Sequence, residues 1–410
     1  MKKSLIIISI FILVAVFLKG GTFYWRNLRG LGPAVKSPPQ DITRLLASKS
    51  NRADHSPGAV PFPLKLPPGF AVSIFAQGLG SPRVLLQDPG GTLLASIPAQ
   101  GRVVALPDKN KDGVADGVVT VAQGLDRPHG MIFRRGNGKT RLYIAEVEQL
   151  AVYDYDDKTF KASNKKKIID LPRGGRHFTR TMVFLPRPDG RLLISVGSSC
   201  DTCVEKDWRY AKVLAANPDG SNLQPFASGL RNAVFMALHP LTKQVWVTEM
   251  GRDFLGDDLP PDEINIIEEG KDYGWPYCYG KRVHDDQFDP QGAKKDFCKQ
   301  TAPSYIDIPA HSAPLGLAFF PEAGWPQEYR HNLLVACHGS WNRTNPTGYK
   351  VVRYRLDDQG NYLGVEDFIT GWLTPSGALG RPVDLVIKNN GEIYISDDKA
   401  GVVYRVVCKK

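Results

Sequence analysis

A chain of 410 residues with a formal net charge of +10 has room for two or three average domains or for one large one. Without Lys2, Lys3 and Lys19, which flank an apolar N-terminal run, the charge is +7, and it is spread over turns such as Asn164-Lys-Lys-Lys. Basic residues scattered in this way exclude a nucleic-acid surface, which needs them gathered on one element with aromatic residues between, and describe a solvated exterior.

Ser4 to Leu18 is almost entirely apolar between Lys2-Lys3 and Lys19, which predicts an export signal over residues 1–20. The run is shorter than the roughly 20 residues of a comfortable membrane span, and no small-x-small cleavage site follows it. A cleaved signal peptide and a signal anchor are therefore both open. Either places the protein in a periplasm or on the outer face of the inner membrane. Residues 21–68 are rich in Pro and Gly, as in Pro61-Phe-Pro-Leu-Lys-Leu-Pro-Pro-Gly. They read as a linker lying along the surface of a folded domain at 69–408, with one short helix near Ile42 to Ala47.

Within that domain one pattern recurs six times. Apolar strands read Thr92-Leu-Leu-Ala-Ser, Arg141-Leu-Tyr-Ile-Ala, Arg191-Leu-Leu-Ile-Ser, Gln244-Val-Trp-Val-Thr, Asn332-Leu-Leu-Val-Ala and Glu392-Ile-Tyr-Ile-Ser. Where nothing is inserted they are about 50 residues apart, the period of a propeller blade. The expected fold is all-β, a six-bladed β-propeller. Phe70-Ala-Val-Ser-Ile-Phe-Ala has no blade of its own, and the last repeat stops after Val402-Val-Tyr-Arg-Val-Val. The N-terminal strand is thus expected to close the last blade, which removes an exposed sheet edge.

Just upstream of each strand lies a lead-in segment: Ser81-Pro-Arg-Val-Leu, Arg127-Pro-His-Gly-Met, His177-Phe-Thr-Arg-Thr-Met, Leu230-Arg-Asn-Ala-Val, His311-Ser-Ala-Pro-Leu-Gly-Leu and Gly380-Arg-Pro-Val-Asp-Leu. Innermost strands line the channel of a propeller, so Arg83, His129, His177, Arg180, Arg231, His311 and Arg381 are expected in one ring at its mouth. Cations and imidazoles held there are costly to leave unpaired, which predicts an anionic ligand.

Asp108-Lys-Asn-Lys-Asp-Gly-Val-Ala-Asp places Asp108, Asn110, Asp112 and Asp116 at alternating positions around a Gly, as in calcium loops. Position twelve is Val119, so the loop reads as a structural calcium turn or a plain Asx-rich turn. Six cysteines in an exported chain suit disulfides, with local bridges expected at Cys200–Cys203 and Cys278–Cys298 and with Cys337 and Cys408 left to pair or stay free. Two long excursions interrupt the rhythm, one from Glu249 through Asp262-Glu-Ile-Asn to Tyr273-Gly-Trp-Pro-Tyr-Cys-Tyr-Gly, the other from His338 to Lys350. Ordered loops on a rigid scaffold are where binding and catalysis concentrate.

The chain resembles a known family at Arg231-Asn232, Thr248-Glu-Met-Gly, Gly256-Asp-Asp-Leu-Pro-Pro-Asp, Tyr273-Gly-Trp-Pro-Tyr-Cys-Tyr-Gly, His311-Ser-Ala-Pro-Leu-Gly, His338-Gly-Ser-Trp-Asn-Arg and Pro346-Thr-Gly-Tyr-Lys. These motifs, in this order over about residues 65 to 408, are similar to the glucose/sorbosone dehydrogenase family and nearer its L-sorbosone branch. The resemblance implies a six-bladed propeller that uses pyrroloquinoline quinone (PQQ) and calcium to oxidise a sugar, with electrons passing to an external cytochrome or quinone. It implies that His177 is the general base and that Arg231 and Asn232 contact the cofactor. Arg180, His338, Arg343, Lys350 and Arg381, with Arg83 and His129 of the ring, are candidates for its carboxylates. Several of these could instead serve ion pairs with Asp257, Asp258 or Asp262. Calcium is implied on backbone oxygens near Gly251 and Arg252, although Glu-Met-Gly-Arg departs from the His and Pro that flank this Gly in the soluble glucose enzymes. Two other readings use the same scaffold. A binding propeller would take an anionic ligand at the basic mouth, and a calcium-dependent lactonase would need inward acidic and Asn ligands that the ring does not offer.

Overall fold

The computed structural model of the chain describes residues 2–25, 58, 60, 61, 63–136 and 138–409. All six apolar runs form strands: Leu93–Ile97, Lys139–Ala145, Leu192–Val196, Val245–Glu249, Leu333–Cys337 and Glu392–Asp397. Each is the second strand of a four-stranded antiparallel sheet, and the six sheets are the blades of a propeller. Neighbouring blades cover both faces of each sheet. That is why these strands are continuous apolar runs and not alternating ones, with every residue of Leu93–Ile97, Leu192–Val196 and Leu333–Cys337 buried.

The innermost strands are Leu85–Gln87, Met131–Gly136, Met182–Phe184, Ala233–Leu238, Pro314–Phe319 and Pro382–Ile387. Each touches the next around the axis, and the last touches the first. The approach is close enough to select side chains: a Cβ on Gly130 would stand 2.4 Å from the Arg180 carbonyl of the next blade. The ring closes as expected, with Phe70–Ala76 pairing antiparallel to Val402–Cys408 as the fourth strand of the sixth blade. Phe75 and Ile74 of that strand are buried, each contributing about 1.5–3 kcal/mol of apolar burial to closure.

The first excursion differs from its sequence reading. Asp262–Ile267, read as loop, is the third strand of the fourth blade. It divides the excursion into a loop at 250–261 and an insertion at 268–305 that carries a hairpin, Cys278–Tyr279 with Val283–His284, and the helix Lys295–Gln300. Acidic Asp262 and Glu263 disguised the strand, yet both are buried, because backbone amides and Asn265 hydrogen-bond their carboxylates.

Both expected disulfides are present, and Cys337 and Cys408 are free thiols. Lys65 pairs with Thr370 beside the fifth and sixth blades, so the end of the linker does run along the propeller. The short helix expected at Ile42 to Ala47 lies outside the described residues. A helix covers Lys2–Phe23, with exposed apolar side chains from Ile10 onward, and among the described residues no helix is long and apolar enough to cross a membrane. The Cys278–Cys298 bridge closes a sequence separation of 20. Replacing both cysteines by Ser should therefore lower the unfolding free energy by about 3 kcal/mol, read from the guanidinium midpoint.

Candidate active site

Up-and-down order brings two kinds of connection to one end of every blade: those between second and third strands, and those from one blade's fourth strand to the next blade's first. That end is the mouth. His177 reaches it on the connection into the third blade, Arg231 and Asn232 on the connection into the fourth. Between them stands Gly197, which ends the second strand of the third blade. A Cβ there would lie 2.7 Å from both the His177 Cβ and the Asn232 Oδ1.

The His177 imidazole is fixed by its own blade. Nδ1 lies 2.9 Å from the Ser198 carbonyl and 3.0 Å from Ser198 Oγ, whose hydroxyl donates to the Cys200 carbonyl at 2.6 Å. A carbonyl only accepts, so Nδ1 carries the proton and Nε2 keeps its lone pair. Burial, reinforced by the Arg231 charge, lowers the pKa to about 3. A neutral imidazole with an open Nε2 is the form a general base requires.

Arg231 is buried and held on three sides. Nε donates to the Asp201 carbonyl at 2.9 Å, one terminal nitrogen to Asp201 Oδ1 at 2.6 Å and the other to the Met250 carbonyl at 3.2 Å. Arg176 joins from beside His177, pairing with Asp253 at 2.6 Å and Asp201 at 3.4 Å. Burial pushes the Asp201 carboxyl up, but Arg231 and Arg176 outweigh it and the net shift is downward. Asp253 Oδ1 accepts from the buried Asn342 at 3.1 Å, linking the 250–261 loop to the 338–349 loop. Arg343 to Asp258 and Thr344 N to Asp257 continue that seam, and His311 Nε2 donates to the Gly256 carbonyl at 2.7 Å.

Across the mouth Asp398 collects the other members of the ring, accepting from His338 Nε2 at 2.8 Å and from Arg83 at 2.7 Å. Burial raises the Asp398 carboxyl, but His338 and Arg83 overcome it and hold it well below the usual carboxylate range. Arg381 is different. Its guanidinium donates to the carbonyls of His338 and Gly339, lies 5.4 Å over the Tyr349 ring, and forms no ion pair among the described residues. Burial pulls its pKa down against the opposing charges of Asp398 and Asp397.

The expectation of a ring of bare cations is therefore corrected. Arg83, His338, Arg231 and Arg343 have carboxylate partners in Asp398, Asp201 and Asp258. Lys350 pairs with Asp367 on the outer strand of the fifth blade, at 2.5 Å. His129 is fully buried among Phe178 and Phe235, with Nδ1 3.3 Å from the Arg180 carbonyl and Nε2 without a partner. Arg180 is fully buried too, giving one nitrogen to the His177 and Thr179 carbonyls while Nε and its other terminal nitrogen find no acceptor. Burial pushes its pKa down to about 10.

Asp201, Asp253, Asp398, Ser198 and Arg176 escaped sequence reasoning. All but Arg176 follow the second strand of a blade, the half of the mouth that was read only where it was long. The signal was there in Ser198-Ser-Cys-Asp and Ile395-Ser-Asp-Asp.

The Gly251 and Arg252 carbonyls accept no hydrogen bond from a described residue, while Gly251 N donates to Asp262 at 2.9 Å and the Arg252 side chain turns away to Asp285 and Gln287. Two open carbonyls fit a hard cation. The Asp108 loop lies away from the mouth. Asp108, Asn110, Asp112 and Asp116 accept from the loop's own amides, at the end of the first blade remote from the mouth, and the sole cluster of metal-ligand geometry among the described residues is Cys200, Cys203 and Glu205.

A six-bladed propeller whose mouth holds a neutral histidine beside buried guanidinium groups defines the class. The TrAA12-like family profile matches residues 64–409, and the chain belongs to that family. An uncharacterised protein of Borreliella burgdorferi is 30% identical over 361 residues, covering 85% of this chain and 91% of that one. The pyrroloquinoline quinone-dependent pyranose dehydrogenase of Coprinopsis cinerea is 26% identical over 398 residues, 82% of this chain and 53% of that protein, so the chain spans about half its length. The holo form of its PQQ domain superposes with a TM-score of 0.72 at 22% identity, over 86% of this chain and 98% of that one. The calcium structure of the Trichoderma reesei AA12 enzyme gives 0.71 at 19% identity, over 87% and 99%.

Two predictions follow from the His177 geometry. In the chain without cofactor, selectively labelled His177 should give the nitrogen shifts of one neutral, Nδ1-protonated tautomer from pH 8 down to about 4, because its lowered pKa delays protonation far below the ordinary value near 6.5. A midpoint near 6.5 would contradict the burial argument. Gly197→Ala should push His177 and Asn232 apart and cut turnover about 100-fold or more, with the far-ultraviolet spectrum unchanged.

Proposed function

We propose that the chain is an exported PQQ- and calcium-dependent dehydrogenase that oxidises a hydroxyl or aldehyde-hydrate carbon of an aldose, pyranose or sorbosone-type sugar to the lactone or acid. The observation that carries this reading is the neutral His177, with Nε2 open, beside Arg231-Asn232 in a mouth where Arg381 has no carboxylate partner. A tricarboxylate fits that donor set: guanidinium groups give charge-assisted hydrogen bonds, and aromatic faces suit a flat ring system. Arg381, the remaining N–H groups of Arg231, and Asn232 would hold the cofactor. The Gly251 and Arg252 carbonyls would hold the cation. When bound, PQQ supplies a two-electron acceptor for the hydride that leaves the sugar carbon.

The chain's own part in the reaction is proton handling. His177 Nε2 takes the hydroxyl proton, and Ser198, accepting from Nδ1, keeps the ring in the tautomer that can do so. Arg83, paired with Asp398, His338, which burial holds uncharged and which donates to the same carboxylate, and Arg343, paired with Asp258, shape the mouth and are not assigned to cofactor carboxylates. Arg180 and His129 lie beneath it. The dehydrogenase domain spans 69–408. Residues 1–20 direct export, as signal peptide or anchor, and 21–68 link them to the domain. An external cytochrome or quinone takes the electrons.

Purified chain incubated with PQQ and calcium should retain the quinone absorbance after desalting and reduce a dye with aldoses. His177→Ala should keep the quinone and lose about 10²–10⁴-fold in turnover, whereas Arg231→Ala should chiefly lose retention. Equal loss of both properties in each variant would overturn the division of roles.

A further inference from the structure

The Cys200–Cys203 disulfide closes a four-residue ring around Asp201 and Thr202, and the site hangs from that ring at three points. The Cys200 carbonyl accepts from Ser198 Oγ at 2.6 Å, the hydroxyl whose oxygen lies 3.0 Å from His177 Nδ1. The Asp201 carbonyl accepts from Arg231 Nε at 2.9 Å, and Asp201 Oδ1 accepts from the same guanidinium at 2.6 Å. Asp201 Oδ1 also receives the Asp253 amide at 3.2 Å, which ties the ring to the 250–261 loop. An isolated backbone of four residues would wander by more than the half-ångström a catalytic constellation tolerates, and the bridge removes that freedom. Because it spans a separation of only 3 residues, a short loop gains the least chain entropy from a bridge. Its main consequence is local geometry.

We propose that Asp201 is a positioning residue and that the Cys200–Cys203 bridge is the clamp that lets it act, setting at once the orientation of the His177 imidazole and the direction of the Arg231 guanidinium. The proposal rests on the dehydrogenase reading above. Breaking the clamp frees the Cys200 carbonyl from Ser198 and lets Arg231 swing toward Asp253, 3.9 Å away.

The test is a PQQ titration of the calcium-loaded apo chain by absorbance, followed by steady-state kinetics with an aldose. The Cys200→Ser/Cys203→Ser double variant should bind PQQ about tenfold or more weakly and lose about tenfold or more in kcat, with the sugar KM within about threefold of wild type. Asp201→Asn, with the bridge intact, should show the affinity loss, and Asp201→Glu should recover part of it. Wild-type PQQ affinity and kcat in a folded double variant would overturn the proposal. If the double variant does not fold, wild-type affinity in Asp201→Asn does so alone. A wild-type chain that binds no PQQ at all refutes the dehydrogenase reading instead, a result separable from any difference between variants.

Discussion

A guanidinium can be buried at the mouth of a closed ring only if acceptors stand where its N–H groups point, and that requirement organises this molecule. Arg231 meets it through Asp201 and the Met250 carbonyl, Arg83 through Asp398, and Arg381 through the His338 and Gly339 carbonyls. Asp201, Asp398 and the His338 and Gly339 carbonyls each come from a blade other than the cation's own, and only the Met250 carbonyl from Arg231's own, so the mouth exists only when the blades are in register. Pairing of Phe70–Ala76 with Val402–Cys408 secures that register by closing the ring between its two ends. Fold and site are in this sense one problem.

The acceptors are of two kinds, and the difference carries the chemistry. Carboxylates pair with Arg231, Arg83 and Arg343, which fixes those side chains. Carbonyl oxygens satisfy the N–H groups of Arg381 without cancelling its charge. An anion arriving at the mouth therefore finds one side built to orient and another still positive. His177 belongs to the orienting side. Burial, helped by the Arg231 and Arg176 charges against the opposing pull of Asp201, keeps it neutral.

Much of the fold was legible because blade strands buried on both faces are apolar at every position, and six such runs at one period admit few architectures. The same rule hid Asp262–Ile267, whose two leading acids satisfy themselves on backbone amides and so look like loop. In the site, His177, Arg231 and Arg381 were legible as lead-in residues to inner strands, which topology brings to one mouth, and Asn232 through motif similarity. Lys350 was not, since motif similarity says nothing of the Asp367 beside it on the next strand. Counter-anions were the larger omission. Asp201, Asp253 and Asp398 lie on connections of other blades, and pairing across blades leaves no trace in local sequence spacing. The Asp108 loop, by contrast, lies away from the mouth and hydrogen-bonds to its own amides.

The proposed function stands on cations and the neutral His177 from successive blades surrounding a single hollow that takes a flat, multiply charged quinone. A crystal structure of the chain grown with PQQ and calcium tests it most directly. The quinone is expected in the mouth, with a carboxylate on Arg381, another on Arg231 or Asn232, calcium on the Gly251 and Arg252 carbonyls, and His177 Nε2 facing the reactive edge. A quinone bound elsewhere, or a mouth whose side chains take no part in holding it, would overturn the proposed function.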